Sequence, residues 1–89
     1  MAKKRIVFII NPISGTQSKE YILELISKHL DSDKFNYQIA KTEYAGHATI
    51  LAHNFVKDGY DAVIAIGGDG TVNEIARSLV HTPVAFGVI

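Results

Sequence analysis

Residues 62–74 read AVIAIGGDGTVNE, and the reading of this stretch decides how the rest of the chain is understood. Ala62 to Ile66 is an apolar run with no polar break, the pattern of a strand buried on both faces of a parallel sheet. It stops at Gly67-Gly68-Asp69-Gly70, whose glycines allow a turn through positive φ and let a ligand approach without meeting a Cβ. Thr71 is expected to open a helix, with Val72, Ile75, Ala76 and Leu79 at i, i+3, i+4 and i+7 on one buried stripe. Strand, glycine-rich loop and helix start form an arrangement suited to phosphate. Free backbone N–H groups and the positive end of the helix dipole converge there.

Asp69 departs from a plain anion site, because its carboxylate would repel a phosphate. Such a site either includes Mg²⁺ or uses the acid chemically. Two structural readings account for the same residues. Asp69 can make an Asx turn, and Thr71-x-x-Glu74 ahead of an apolar stripe is the pattern of a capping box.

With 89 residues the chain has the size of one small domain. An apolar fraction of 47% and a mean hydropathy of +0.13 exclude a disordered composition. Nine basic residues balance nine acidic ones, so the basic excess of a nucleic-acid binder is missing. Cysteine is absent, which removes disulfides and thiolate metal sites. Lys3, Lys4 and Arg5 resemble the charged start of a signal peptide, but Ile6 to Ile10 is too short an apolar run to follow it. The chain therefore reads as cytoplasmic.

Upstream, Arg5 to Ile10 is a buried strand ended by Asn11-Pro12. After the loop NPISGTQS, Thr16 or Ser18 can cap a helix whose stripe is Ile22, Leu25 and Ile26, with His29 or Leu30. Asn11, Ser14 and Gly15 have ordinary turn chemistry as their structural reading, yet they sit at the carboxyl end of a buried strand. Phe35 to Lys41 alternates, which places it at an outer position in the sheet. Ala48, Leu51, Ala52, Phe55 and Val56 repeat at helical spacing, with Gly59 as C-terminal cap. Thr42 is a candidate N-cap of that helix. His47 and His53, six apart, point to different helix faces and cannot chelate together, and all four histidines read as surface or boundary residues. Asp61 to Ile66 and Val84 to Ile89 complete the strands, the last also expected to be buried.

The segment GGDGTVNE resembles the signature of the diacylglycerol kinase catalytic domain family, which includes bacterial lipid kinases and sphingosine kinases. GGDGT is shared with NAD kinases, and Asn73-Glu74 favours the lipid-kinase branch. Asn-Pro-x-Ser-Gly at 11–15 is similar to the family's first nucleotide-contacting loop, and TEYAGHA at 42–48 to the segment that helps hold the nucleotide. The resemblance implies ATP contacts at Asn11, Pro12, Ile13, Ser14, Gly15 and Thr42. It implies others at Gly67, Gly68, Asp69, Gly70, Thr71, Val72 and Asn73, with Asp69 as catalytic residue, Mg²⁺ ligand or both. The implied activity is transfer of the ATP γ-phosphoryl group to diacylglycerol or a similar lipid alcohol at a membrane surface.

Alternating strands and helices predict an open parallel α/β sheet with helices on both faces, a Rossmann-like nucleotide-binding domain in strand order 2-1-3-4. Resembling kinases continue beyond the fourth strand into a second, β-rich domain. Residues 1–89 are thus expected to be the ATP-binding N-terminal portion of such an enzyme, inactive alone and prone to self-association through the edge at Val84 to Ile89. A NAD kinase-like enzyme and a non-catalytic nucleotide-binding or regulatory module are the alternatives.

Overall fold

A computed structural model describes residues 3–12, 20–31 and 33–89. Ile13, Ser14 and Gly15, and the candidate caps Thr16 and Ser18, lie outside them. The elements are β1 (Lys4–Ile10), α1 (Glu20–His29), β2 (Phe35–Lys41), α2 (His47–Lys57), β3 (Ala62–Ile66), α3 (Asp69–Leu79) and β4 (Ala85–Val88). The strands form one parallel sheet in the order β2-β1-β3-β4, as the positions of the loops predicted.

Because side chains alternate along a strand, the unbroken apolar run of β1 supplies both faces of the sheet. Val7 and Ile9 pack with Val63 and Ala65 against Ala48, Ala52 and Phe55 of α2 and Ile75 and Leu79 of α3. Phe8 and Ile10 turn the other way and join Ile66 against Ile26 of α1. Each fully buried aliphatic side chain stabilises the fold by roughly 1.5–3 kcal/mol relative to exposure, and Val7, Ile9, Ile10, Val63 and Ile75 are all in this class. β2 is an edge strand with a largely exposed pattern, in line with its alternation.

Two burial expectations are corrected. On α1 the face toward the sheet runs through Ile22, Leu23, Ile26 and Leu30, while Leu25 is exposed. The i, i+4, i+8 line of the isoleucines and Leu30 sets the contact, and Leu23 rather than Leu25 falls beside it. β4 is not buried: Ala85, Phe86 and Val88 are exposed, because β4 is an edge strand and neither core cluster packs on its faces.

Arg5 ties the amino end of the sheet together. Its backbone N–H donates to the Asp61 carboxylate and its Nη1 to the Asp58 carbonyl, each at 2.7 Å. Its guanidinium lies 4.1 Å from the Tyr60 ring centroid, and the Tyr60 hydroxyl donates to Gln38 Oε1 at 2.8 Å. The α2–β3 connection is thereby held against β1 and β2 at the edge away from the glycine-rich loop. Gly59 makes this connection possible, with φ at 81° directly after the end of α2. Gly59→Ala meets no steric obstacle at Cβ, so its cost is the backbone's alone. It is expected to lose about 1 kcal/mol and to lower the melting temperature by roughly 4–8 °C, read by thermal unfolding.

Candidate functional site at the carboxyl edge of the sheet

The carboxyl ends of β1 and β3 stop level with one another, Ile10 opposite Ile66. Pairing runs one residue further: the Asn11 N–H donates to the Ile66 carbonyl at 3.0 Å, and the Thr42 N–H to the Ile10 carbonyl at 2.9 Å. Asn11, Thr42 and the glycine-rich loop are thus side by side on one edge. Asn11 Nδ2 also donates to Thr71 Oγ1 at 3.4 Å, linking the end of β1 to the first turn of α3.

α3 begins at Asp69, two residues before the expected start at Thr71. Gly68 is its N-cap, with extended backbone (φ −82°, ψ −179°), and its carbonyl accepts the Val72 N–H at 3.1 Å. No capping box forms, because Thr71 already lies within the helix, buried to 8% exposure with its hydroxyl turned to Asn11. The Asx turn is not made either: the exposed Asp69 carboxylate has no hydrogen bond or ion pair among the described residues. The first-turn N–H groups of Asp69, Gly70 and Thr71 have no intrahelical partner, and a glycine cap offers no side chain to cover them.

Of the three glycines expected to allow a turn through positive φ, Gly67 alone has one. Gly67 has φ 159°, close to extended, Gly68 is extended, and Gly70 is helical with nothing within 4 Å of where a Cβ would stand. The space over Gly70 is part of a cavity of about 210 Å³ whose lining includes Asn11, Thr42, Gly70 and Thr71. A second cavity of about 290 Å³ shares Asn11 and Thr42 and extends along Glu43 to Ala45.

Of the residues expected at the site, Asn11, Thr42, Gly70 and Thr71 line this crevice. Gly67, Gly68 and Asp69 lead into it from β3, while Val72 and Asn73 lie beyond it along α3 and Pro12 is an exposed turn residue. Ile13, Ser14 and Gly15 lie outside the described residues. Thr42 does not cap α2, which starts five residues later with Gly46 (φ 87°) as its N-cap. Its half-buried hydroxyl has no partner among the described residues.

Five lining residues were not among the expected contacts: Tyr44, Ala45, Gly46, Ala48 and Glu74. Glu74 was set aside as a cap partner, yet it lies one turn after Thr71 on the same helix face. Tyr44 carried no helical or strand periodicity to mark it. All four histidines are exposed or half-buried, as expected. Among the described residues no group of three or more His, Cys, Asp or Glu is placed to hold a metal. The more apolar groove, about 330 Å³ between α1 and Ile89, lies away from these polar groups and shares only the sheet with them.

A parallel α/β sheet with a helix N-terminus opening onto a crevice between adjacent strands belongs to the class that binds ligands at the carboxyl edge. The chain matches the diacylglycerol kinase catalytic domain family over residues 5–89 and belongs to that family. It is 35% identical over 83 residues to a diacylglycerol kinase of Staphylococcus aureus (strain MRSA252), covering 91% of this chain and 26% of that protein. It is 31% identical over 81 residues to a diacylglycerol kinase of Staphylococcus carnosus (strain TM300), with the same coverage of 91% and 26%. Its fold is similar to the crystal structure of a putative diacylglycerol kinase from Bacillus anthracis str. Sterne, with a TM-score of 0.80 and 28% identity over 97% of this chain and 30% of that one. The chain thus spans about a quarter of the length of the curated relatives it matches.

Gly70 yields a test of whether open space or backbone geometry explains a glycine in the first turn. Gly70→Ala is expected to raise stability by up to about 1 kcal/mol, since a helical alanine is favoured over glycine. The same methyl group occupies the crevice, so ligand binding should weaken. Thermal unfolding and calorimetric titration with MgATP on the complete protein read the two effects separately.

Proposed function

We propose that residues 1–89 are the ATP-binding portion of a lipid kinase, which in its complete form transfers the γ-phosphoryl group of ATP to the hydroxyl of diacylglycerol or a similar lipid alcohol. Family membership supports this reading. One observation carries it within the structure: three segments far apart in sequence, ending at Asn11, Thr42 and Gly70-Thr71, line one crevice beside a helix N-terminus.

Phosphoryl transfer asks a protein chiefly for positioning and charge stabilisation. The first-turn N–H groups of α3 and its dipole would take phosphate oxygens, with the Asn11 amide on one flank and the Thr42 hydroxyl as a further contact to the nucleotide. The exposed, unpaired Asp69 carboxylate fits Mg²⁺, which takes one or two carboxylates together with a nucleotide's own phosphate oxygens. Such an ion would neutralise charge on the phosphates. Withdrawal of the acceptor's hydroxyl proton is the other use of the same carboxylate.

The relatives are named diacylglycerol kinases, which favours a lipid over NAD as acceptor. A lipid acceptor of this kind would be met at a membrane surface, and no helix among the described residues is long and apolar enough to cross a membrane. The open edge of β4, with Phe86 and Val88 exposed, favours self-association of residues 1–89 on their own. Sedimentation of these residues should show a concentration-dependent increase in mass; a monomer throughout would remove that expectation.

The complete protein should phosphorylate diacylglycerol in mixed micelles with MgATP. Asp69→Asn should lower kcat at least about a hundredfold while changing stability by less than about 1 kcal/mol. Comparable turnover by the variant would remove the chemical role of Asp69. Phosphorylation of NAD but not lipid would assign the other acceptor, and ATP binding without turnover would leave a binding module.

A further inference from the structure

The turn between β2 and α2 is closed by the His47 side chain. The Glu43 backbone N–H donates to His47 Nδ1 at 3.0 Å, and the His47 N–H donates to the Tyr44 carbonyl at 3.1 Å. The His47 ring also lies against the Tyr44 ring, with centroids 4.4 Å apart and planes inclined by 12°. An amide N–H can only donate, so Nδ1 must carry its lone pair and the ring's one proton sits on Nε2. This is the neutral imidazole. His47 lines neither polar cavity, so it acts on them only through the turn. Glu43, Tyr44 and Ala45 line the larger cavity, together with Asn11 and Thr42. Thr42 is anchored separately, its N–H donating to the Ile10 carbonyl at 2.9 Å. The next N–H along the chain, that of Glu43, has the histidine side chain as its acceptor.

A second proton on the ring would turn Nδ1 into a donor facing another donor at 3.0 Å, and the bond from Glu43 would be lost. Turning the ring over would not restore it, since a carbon would then take the place of Nδ1. The stack on Tyr44 would survive, because a cation is attracted to the face of a tyrosine ring. We infer that neutral His47 is a positioning residue that latches the wall of the crevice from Glu43 to Ala45, and that its protonation releases the latch. The bond is made by the neutral ring alone. Its contribution to ligand binding is therefore full above the histidine range and is lost as pH falls through that range. His47 touches no ligand in this scheme. The choice of ATP as ligand rests on the functional reading above, whereas the latch does not. The start of α2 packs against β1 and α3 and follows the turn from β2. The ionisable groups there are Glu43 and Tyr44 in the turn, Lys41 at the end of β2, and Asp69 and Glu74 of α3, while β1 ends in Ile10 and brings none. No side-chain hydrogen bond or ion pair joins any of them to His47 among the described residues.

Two titrations of the complete protein test this. The first needs no ligand and follows the Glu43 amide and the His47 ring nitrogens by NMR from about pH 8 to about pH 5, where histidine changes charge. Nδ1 should be the unprotonated nitrogen at the upper end, and the Glu43 amide should shift in step with the ring as it charges. His47→Asn supplies an oxygen that branches from Cγ as Nδ1 does and accepts without titrating, so its Glu43 amide should stay in place throughout. The second titration measures MgATP affinity by calorimetry over the same range. Wild type should lose about fivefold more affinity on acidification than His47→Asn does. Protonation of the nucleotide and of the neighbouring groups is common to both proteins and cancels. His47→Ala, which has no acceptor, should bind about fivefold more weakly than wild type at the upper end and lose no more than His47→Asn on acidification. A proton on Nδ1 at the upper end, or a Glu43 amide indifferent to the charge on His47, overturns the latch whatever the ligand. Equal pH dependence in wild type and His47→Asn overturns its effect on the crevice and leaves the ATP reading standing. Wild type that binds no ATP at any pH overturns the functional reading and the effect on ATP with it, while the ligand-free titration still decides the latch.

Discussion

The parallel pairing of β1 with β3, level from Ile6 opposite Ala62 to Ile10 opposite Ile66, is the constraint on which the crevice depends. Two strands separated by more than fifty residues end at the same height, and the Asn11-to-Ile66 hydrogen bond carries the ladder one step past them. Right-handed crossovers then bring every strand-to-helix connection out on the same edge. A shift of this register by one residue would put Val63 and Ala65 on the opposite face from Val7 and Ile9. Burial of those side chains against α2 and α3 therefore fixes the position of Asn11 relative to Thr71.

Stability and chemistry are separated between the two edges of the sheet. At the amino edge Arg5 is engaged by Asp61, Asp58 and Tyr60, and the connection there is closed by hydrogen bonds. At the carboxyl edge the polar groups are less satisfied by the protein itself. Asp69 and the Thr42 hydroxyl lack partners among the described residues, and the first turn of α3 is capped by a glycine. Polar groups left in this state at the mouth of a crevice are available to a ligand, whereas the same groups paired internally would resist one.

The relatives are about four times as long as these 89 residues. What these residues bring together along one crevice is a helix start and the chain at Asn11 and Thr42.

The sequence by itself determined the element order, the parallel sheet and the position of the glycine-rich loop. Those depend on local signals: unbroken apolar runs, helical periodicity after glycine, and the GGDGTVNE segment. Strand order 2-1-3-4 was legible too, because two loops of like chemistry had to lie side by side. Tertiary structure alone decided where α3 starts, since Gly68 and Thr71 are both acceptable caps locally and the contact between Thr71 and Asn11 requires Thr71 inside the helix. It also decided which residue of α1 faces the sheet and that Phe86 and Val88 remain exposed, because burial depends on neighbours that periodicity cannot supply. Tyr44 and Glu74 entered the site in the same way. Periodicity marks neither of them for the crevice, and each becomes part of it only when β1, α2 and α3 are brought together by the packing of their apolar faces.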